Sequence, residues 1–278
     1  MLCLRQQIVN DGRGDLEMAK SNILVYKGLG ASETGWIHLR TALRSCVNLN
    51  KYDVDFVTPE EIIKGTKLDK ASLVSFGAGY TSGFAAALGE EGIQNLRNHI
   101  LGGHSYLGLG AGGYFGCDYI EFDKGGPLEK LTERDLRLYP GVCSGPVYPG
   151  FQYGTHKGLH AAQVNFSSKD FSGSFHAMID GGGKFSSSDA PKPGSLVHDV
   201  INVATFSELP ESPAAIVRTS LKESGLAVLS SVHLEYDMIS LIDLNLELEH
   251  LREQFVLSRS DQLAAFRSLL KMLNIAVV

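Results

Sequence analysis

The stretch Gly108-Leu109-Gly110-Ala111-Gly112-Gly113-Tyr114-Phe115-Gly116-Cys117 decides the fold. It directly follows Tyr106-Leu107, which has the character of the end of a buried strand. A sharp, glycine-rich turn from a strand into a helix is how many α/β enzymes present a nucleophile. The apex of the turn, where a cysteine or serine is expected, falls on Gly110. The pattern therefore predicts a nucleophile elbow that carries glycine at the nucleophile position.

Apolar segments alternate with helical patterns around this turn. Buried strands are predicted at residues 23–26, 54–57, 73–76 and 106–107. Thr58-Pro59-Glu60-Glu61 predicts a helix start, with a threonine N-cap, proline at the first helical position and a glutamate placed for a capping box. Another helix is predicted over residues 84–100, with Gly89 and Gly92 as its weak points. Strands that alternate with helices imply a parallel sheet covered on both faces.

The second half of the chain has a different pattern. Short strand-like runs follow one another closely, at residues 161–164, 175–179, 201–206, 215–218 and 227–232. Their spacing indicates hairpins, so antiparallel strands are expected to extend the sheet. Two amphipathic helices close the chain; the apolar stripe of the first includes Leu244, and Ser260 is the predicted cap between them. We expect residues 1–20 to be a loosely ordered leader and residues 21–278 to be a single domain.

Composition and charge exclude several classes of function. The chain has 278 residues, 44% of them hydrophobic, and a net charge of −6. No basic stretch is interleaved with aromatic residues, so neither nucleic acid nor an anionic membrane is expected as a partner. No apolar run reaches the roughly 20 residues of a membrane span, and the polar N-terminus lacks the apolar core of a signal peptide. The four cysteines are scattered without metal-binding spacing, which predicts reduced thiols, no metal and a cytoplasmic location. No cofactor is predicted.

The glycine-rich turn also matches the dinucleotide-binding fingerprint, as Gly108-x-Gly110-x-x-Gly113. A true fingerprint is followed by a full helix and by an acidic residue about 20 positions on, at the end of the next strand. Here the next strand begins near Tyr119, and Glu121 and Asp123 come too early. Dinucleotide binding is therefore the least favoured of the functions considered.

Two further segments suit the chemistry of an elbow. His233-Leu234-Glu235 follows an apolar strand, and a histidine with a carboxylate two residues on can act as a base and its orienting partner. Gly77-Ala78-Gly79 ends a strand ahead of a helix, where glycines let backbone N–H groups face an anion. Taken alone, each pattern is more commonly structural. Gly181-Gly182-Gly183 is compatible with a pocket wall or with a flexible hairpin tip.

Two other segments are predicted to be structural. Cys117 lies seven residues after Gly110, about two helical turns, so it cannot stand in for a nucleophile at the apex. We predict a buried, structural thiol. Arg134-Asp135-Leu136-Arg137 has the charges to bind a carboxylate, but a surface ion-pair cluster is the favoured interpretation.

Taken in chain order, these segments resemble the class I glutamine amidotransferase-like domain at the N-terminus of eukaryotic-type biotin–protein ligases. The similarity runs from about residue 22 to residue 275, and the block from the elbow to Asp123 is its most specific part. The other segments that carry it are Gly77-Ala78-Gly79, Arg134-Asp135-Leu136, Tyr139-Pro140-Gly141, Gly145-Pro146-Val147-Tyr148, Gly150-Phe151-Gln152-Tyr153, Gly181-Gly182-Gly183, Ser212-Pro213-Ala214-Ala215 and His233-Leu234-Glu235.

The resemblance implies an α/β, flavodoxin-like three-layer sandwich, with a mostly parallel sheet and added antiparallel strands. It also implies a triad-like site with the nucleophile at position 110, the base at His233 and the orienting carboxylate at Glu235. The oxyanion and ligand contacts implied are Gly77, Ala78, Gly79, Ala111, Gly112 and Gly182. Members of the family usually carry cysteine at the elbow. Because this chain has Gly110, covalent amidohydrolysis is expected to be absent, and the apex is expected to leave extra room for a ligand.

Three functions remain open at this point. The leading one is a non-catalytic domain that binds a small molecule in the elbow cleft, with His233 as a hydrogen-bonding group. The second is an amidohydrolase or amidotransferase in which His233 and Glu235 activate water. The third is a regulatory domain whose partner is a biotin ligase catalytic domain or a biotin-accepting carboxylase. The ligase's own arginine-rich biotin-activating loop has no counterpart in this sequence beyond Gly12-Arg13-Gly14.

Overall fold

The structure, a computed structural model, describes residues 19–187 and 196–278. The predicted leader therefore lies almost wholly outside the described residues. Among those residues the strands are β1 (Ser21–Tyr26), β2 (Tyr52–Val57), β3 (Ala71–Phe76), β4 (Ser105–Leu109), β5 (Cys117–Phe122), β6 (Lys130–Glu133), β7 (Tyr139–Gly145), β8 (Leu159–Ser167), β9 (Ser172–Asp180), β10 (Lys184–Ser187), β11 (Val197–Phe206), β12 (Ala214–Leu221) and β13 (Leu226–Ser230). The α-helices are α1 (Glu33–Cys46), α2 (Pro59–Ile63), α3 (Thr81–Leu101), α4 (Ala111–Phe115), α5 (Met238–Leu244) and α6 (Arg252–Met272).

All of these strands belong to one mixed sheet. The strands β2, β1, β3, β4 and β13 lie side by side and run parallel. The sheet continues through β12, β10, β7, β5 and β6, and an antiparallel branch of β11, β8 and β9 leaves it at β12. The order 2-1-3-4 followed by a fifth parallel strand is that of flavodoxin-like folds. The predicted α/β architecture is therefore confirmed.

Helices cover both faces of the parallel strands because side chains alternate along each strand. Ile23 of β1 packs in one core with Leu39 of α1 and Phe266 of α6. Its neighbour Leu24 packs in the opposite core, where Phe84 of α3 also lies. Two apolar cores on either side of one sheet give the three layers that the resemblance implied.

The carboxyl ends of the parallel strands meet at one edge of the sheet. The chain reverses strand order between β1 and β3, and open α/β sheets bind ligands in the crevice at such a point. Gly77-Ala78-Gly79 leaves β3 there, Gly110 leaves β4, and His233 follows β13. The topology thus brings together three segments that are far apart in the sequence.

Several local predictions can be compared with the structure. The capping box at Thr58 is present, with its hydroxyl accepting from the Glu61 N–H and the Glu61 side chain accepting from the Thr58 N–H. Gly89 interrupts α3 with a non-helical backbone at φ 58°. Two α-helices close the chain as predicted, but the predicted boundary between them was wrong, because α6 begins at Arg252 and Ser260 lies inside it. Leu244 is 83% exposed, outside the stripe assigned to it.

Arg134 also differs from the prediction. Its side chain is 8% exposed and donates a 2.7 Å hydrogen bond to the Thr81 hydroxyl, whereas Arg137 pairs with Glu133 at the surface.

In the described part of the chain, no helix combines the length and the apolar character needed to cross a bilayer.

Candidate functional site

Gly110 forms the apex of a tight turn between β4 and α4. Its backbone has φ 55° and ψ −114°, a conformation that glycine adopts at little cost and other residues adopt only under strain. The turn is fixed by hydrogen bonds from the Gly110 N–H to the Ser230 carbonyl, 2.9 Å, and from the Gly113 N–H to the Gly110 carbonyl, 2.9 Å. The short helix α4 ends at Phe115 and β5 begins at Cys117. The turn thus has the form of an elbow, with barely one helical turn behind it.

His233 and Glu235 form a buried pair beside the elbow. The Nδ1 atom of His233 lies 2.7 Å from Oε1 of Glu235, and both side chains are almost fully buried. The His233 N–H also donates to the Met178 carbonyl at 2.7 Å, which holds the residue against β9. The bond between Nδ1 and the Glu235 carboxylate places a proton on Nδ1 and leaves Nε2 as the second polar atom of the ring.

The protonation of His233 follows from its surroundings. Burial alone would lower the pKa of His233, but the carboxylates of Glu235 and Asp180 outweigh burial and hold that pKa above its usual value. The imidazole is therefore biased toward the charged form, in which both ring nitrogens are donors.

The ring of His233 lies directly against the apex of the elbow. A Cβ atom built on Gly110 would be 2.5 Å from Nε2 and 2.6 Å from Cε1 of His233. The expectation that glycine leaves extra room at the apex was therefore wrong. Without a Cβ at position 110, the imidazole packs onto the backbone and occupies the space where a nucleophilic side chain would begin.

The residues predicted as oxyanion and ligand contacts divide into two groups. Ala78, Gly79, Ala111 and Gly182 line the cavity beside the elbow. Gly77 and Gly112 are not part of the cavity lining. They bond to each other instead, with the Gly112 N–H donating to the Gly77 carbonyl at 3.2 Å.

Three backbone donors remain at the cavity wall. Among the described residues, the N–H groups of Ala78, Gly79 and Ala111 have no acceptor. Backbone N–H groups without an acceptor can donate to a carbonyl oxygen of a ligand.

The cavity has a volume of about 870 Å³ and extends from the elbow toward β9. One acidic residue of its lining is Asp180, the last residue of β9, which the sequence reasoning missed. The Oδ1 atom of Asp180 is buried and has no hydrogen-bond partner in the described part of the chain. Burial raises the pKa of Asp180, and the nearby histidines, His233 first among them, oppose that rise. The only hint in the sequence is its position directly before Gly181-Gly182-Gly183.

Aromatic side chains also line the cavity. Phe151 packs edge-on against Phe122 and Tyr153, with ring centroids 5.5 Å and 4.8 Å apart, and Tyr114 contacts Phe122 at 5.9 Å. Tyr114 is fixed by a hydrogen bond from its hydroxyl to the Gly181 carbonyl, 3.1 Å. We call these four residues the aromatic wall. It gives the cavity an apolar side, which Tyr114 joins to Gly181, the residue next to Asp180.

The remaining candidates have structural positions. Cys117 is buried, its Sγ donates to the Gly113 carbonyl at 3.4 Å, and burial raises its thiol pKa, as expected of an inert core cysteine. Residues 19–187 and 196–278 contain no group of three or more side chains placed to hold a metal ion.

Comparison with known proteins agrees with this arrangement. Residues 21–278 match the family described as biotin-protein ligase, N terminal. The chain belongs to that family. The match includes the elbow, the His233–Glu235 pair and the whole sheet, so the resemblance drawn from the motifs is confirmed at the level of the family.

The chain is similar to two proteins over part of their length. The chain is 36% identical over 166 residues to an uncharacterized protein of Chlamydia muridarum (strain MoPn / Nigg), covering 59% of this chain and 60% of that one. It is 28% identical over 218 residues to the biotin–protein ligase of Schizosaccharomyces pombe (strain 972 / ATCC 24843), covering 77% of this chain and 33% of the ligase. The matched region is therefore about a third of the ligase's length.

A solved structure with little sequence similarity shares the fold. A cold-adapted β-galactosidase from Rahnella sp. R3 superposes with a TM-score of 0.50 at 10% identity, over 94% of this chain and 32% of that one. At this identity the likeness concerns the fold alone.

Proposed function

We propose that this chain is a non-catalytic, ligand-binding member of the biotin-protein ligase N-terminal family. The observation that carries the proposal is the position of the His233 ring, 2.5 Å from where a Cβ atom of residue 110 would lie. Covalent amide hydrolysis needs a side chain that attacks the carbonyl, and glycine offers none. The place where such a side chain would begin is taken by the imidazole, so a substrate carbonyl finds no nucleophile there.

The groups that remain are suited to binding. Asp180 offers a buried acceptor, and His233 and the aromatic wall line the same cavity. Pockets that combine apolar walls with a few convergent polar groups are typical of small-molecule sites. A ligand in this cavity would contact the residues at the ends of β3, β4, β9 and β13. Its binding would therefore depend on the conformation of the elbow.

We further propose that this binding regulates a biotin ligase. The support is the family and the relative from Schizosaccharomyces pombe, in which the matching region occupies a third of a biotin–protein ligase. The partner would be a ligase catalytic domain or a biotin-accepting carboxylase. We also propose a single domain over residues 21–278, since one sheet connects β1 to β13, and a cytoplasmic location, since the cysteines in the described part are free.

A second candidate is an amidohydrolase in which His233 activates water. The orientation of the imidazole by Glu235 favours it. One feature counts against it: the Nε2 atom that would take the proton from water faces Gly110, 2.5 Å from where a Cβ atom of that residue would lie.

Ammonia release from L-glutamine distinguishes the two functions. We expect none above the buffer background from the purified chain, and the same result from His233→Ala, because no group can form the acyl intermediate. A glutaminase run in parallel sets the sensitivity of the assay. Ammonia release by the chain that His233→Ala abolishes would contradict the proposal and establish the hydrolytic function.

A further inference from the structure

We propose that the cavity binds a small amine or amidine cation attached to a flat apolar body, with the charge at Asp180 and the body against the aromatic wall. This inference rests on the proposal that the cavity binds its ligand without converting it. It assigns a ligand class and a recognition residue to the site.

The first argument is the unmet hydrogen bonding of Asp180. Its Oδ1 atom is buried without a partner in the described part of the chain. A buried carboxylate oxygen without a donor is costly, and a ligand N–H that reaches it recovers that cost. Asp180 lines the cavity, so a ligand can reach it without rearrangement of the sheet.

The second argument is the balance of charge around the cavity. Glu235 neutralises the charge of His233 within a buried pair. At the rim, Glu129 and Lys130 carry opposite charges. The basic side chains near Asp180 are histidines, and His233, the first among them, is already paired with Glu235, so an amine ligand would supply Asp180 with a full positive charge. An anionic ligand would face an unpaired carboxylate instead.

The third argument is the shape and chemistry of the aromatic wall. Tyr153 is 54% exposed although it packs against Phe151, so a flat ligand would remove its ring from water. Aromatic faces also attract organic cations within about 6 Å of the ring centroid. Because Tyr114 of the aromatic wall bonds to the carbonyl of Gly181, next to Asp180, an amine on a flat body would reach the carboxylate while the body lies on the rings.

Calorimetric titration with matched probes tests the ligand class. Benzylamine is the cationic probe, benzyl alcohol is its neutral counterpart and phenylacetate is an anion of similar size. At pH 7 we expect benzylamine to bind more tightly than either of the other two. Asp180→Asn keeps the size of the side chain and should weaken benzylamine binding by about 10- to 100-fold, the worth of a charged hydrogen bond, while leaving benzyl alcohol unchanged.

Two control variants make the result specific. Asp199→Asn removes an exposed carboxylate from β11 and should leave the binding of all probes unchanged. Tyr153→Ala alters an exposed ring and should weaken benzylamine and benzyl alcohol alike.

The inference is overturned if benzylamine fails to bind, if benzyl alcohol binds as tightly as benzylamine, or if Asp180→Asn leaves the preference intact. These outcomes are independent of ammonia release from glutamine, whose detection would instead defeat the proposed function.

Discussion

Gly110→Ala is expected to lower the free energy of unfolding by about 3 kcal/mol, although it adds one methyl group. Two costs combine. Backbone strain at φ 55° and ψ −114° costs about 1–3 kcal/mol in a non-glycine residue, and an added methyl in a packed site costs about as much again. The methyl would meet the His233 ring, which cannot simply retreat because Glu235 and the Met178 carbonyl hold it. Urea unfolding measures the loss.

Gly89→Ala is the matched control. Gly89 also has a positive φ, 58°, but nothing lies within 4 Å of the Cβ position, so only the strain term of about 1–2 kcal/mol is expected there. In a double-mutant cycle, His233→Ala should recover about 1–2 kcal/mol of the Gly110→Ala loss, since the clash is removed. Equal losses at both glycines, with no coupling to His233, would contradict the contact between the ring and the elbow.

Glu235→Gln is expected to lower the free energy of unfolding by about 2–3 kcal/mol at pH 6. The substitution removes the charge that compensates a buried imidazolium, and breaking a buried pair from one side is strongly destabilising. Glu90→Gln, an exposed carboxylate on α3, is the control and should change stability by less than about 0.5 kcal/mol. Chemical denaturation at a series of pH values measures both variants.

The loss at Glu235→Gln should depend on pH in a definite direction. The pKa of His233 is raised in the folded chain, so its protonation stabilises the fold below the unfolded-state pKa of about 6.5, and this contribution fades as pH rises through the folded-state pKa. The difference between the parent chain and Glu235→Gln should therefore be largest near pH 6 and shrink toward pH 9. A difference that grows with pH would show that His233 is neutral in the folded chain.

The parallel part of the fold was predictable because its strands are short apolar runs that alternate with helices. The strand β7 was missed, since Pro140 and Gly141 within it are residues that central strands avoid. The strand β7 nevertheless forms, because its pairing with β5 and β10 outweighs the low strand propensity of these two residues. Ser260 was wrongly predicted to be a helix cap, because serine is a common N-cap residue and local sequence does not show that the helix continues through it.

The site was predictable only where a motif carried it. The elbow and His233-Leu234-Glu235 are local patterns with known chemistry, and the sheet topology brings them together. Asp180 had no such pattern, and its place depends on β9, which reaches the site through the pairing of Met178 with His233. The position of the His233 ring against Gly110 could not be predicted either, because it depends on how the side chains of the folded core pack.

The acidity of a thiol introduced by Gly110→Cys tests the central claim most directly. It is measured by the ultraviolet absorbance of the thiolate in a Cys3→Ser background, since the other native cysteines are buried. If position 110 is the nucleophile position of an inherited amidotransferase-like site, the imidazolium of His233 will hold the thiol pKa below its ordinary value of about 8.5, and His233→Ala will raise it by about one unit or more. A thiol pKa at or above the ordinary value, unchanged by His233→Ala, would contradict the account.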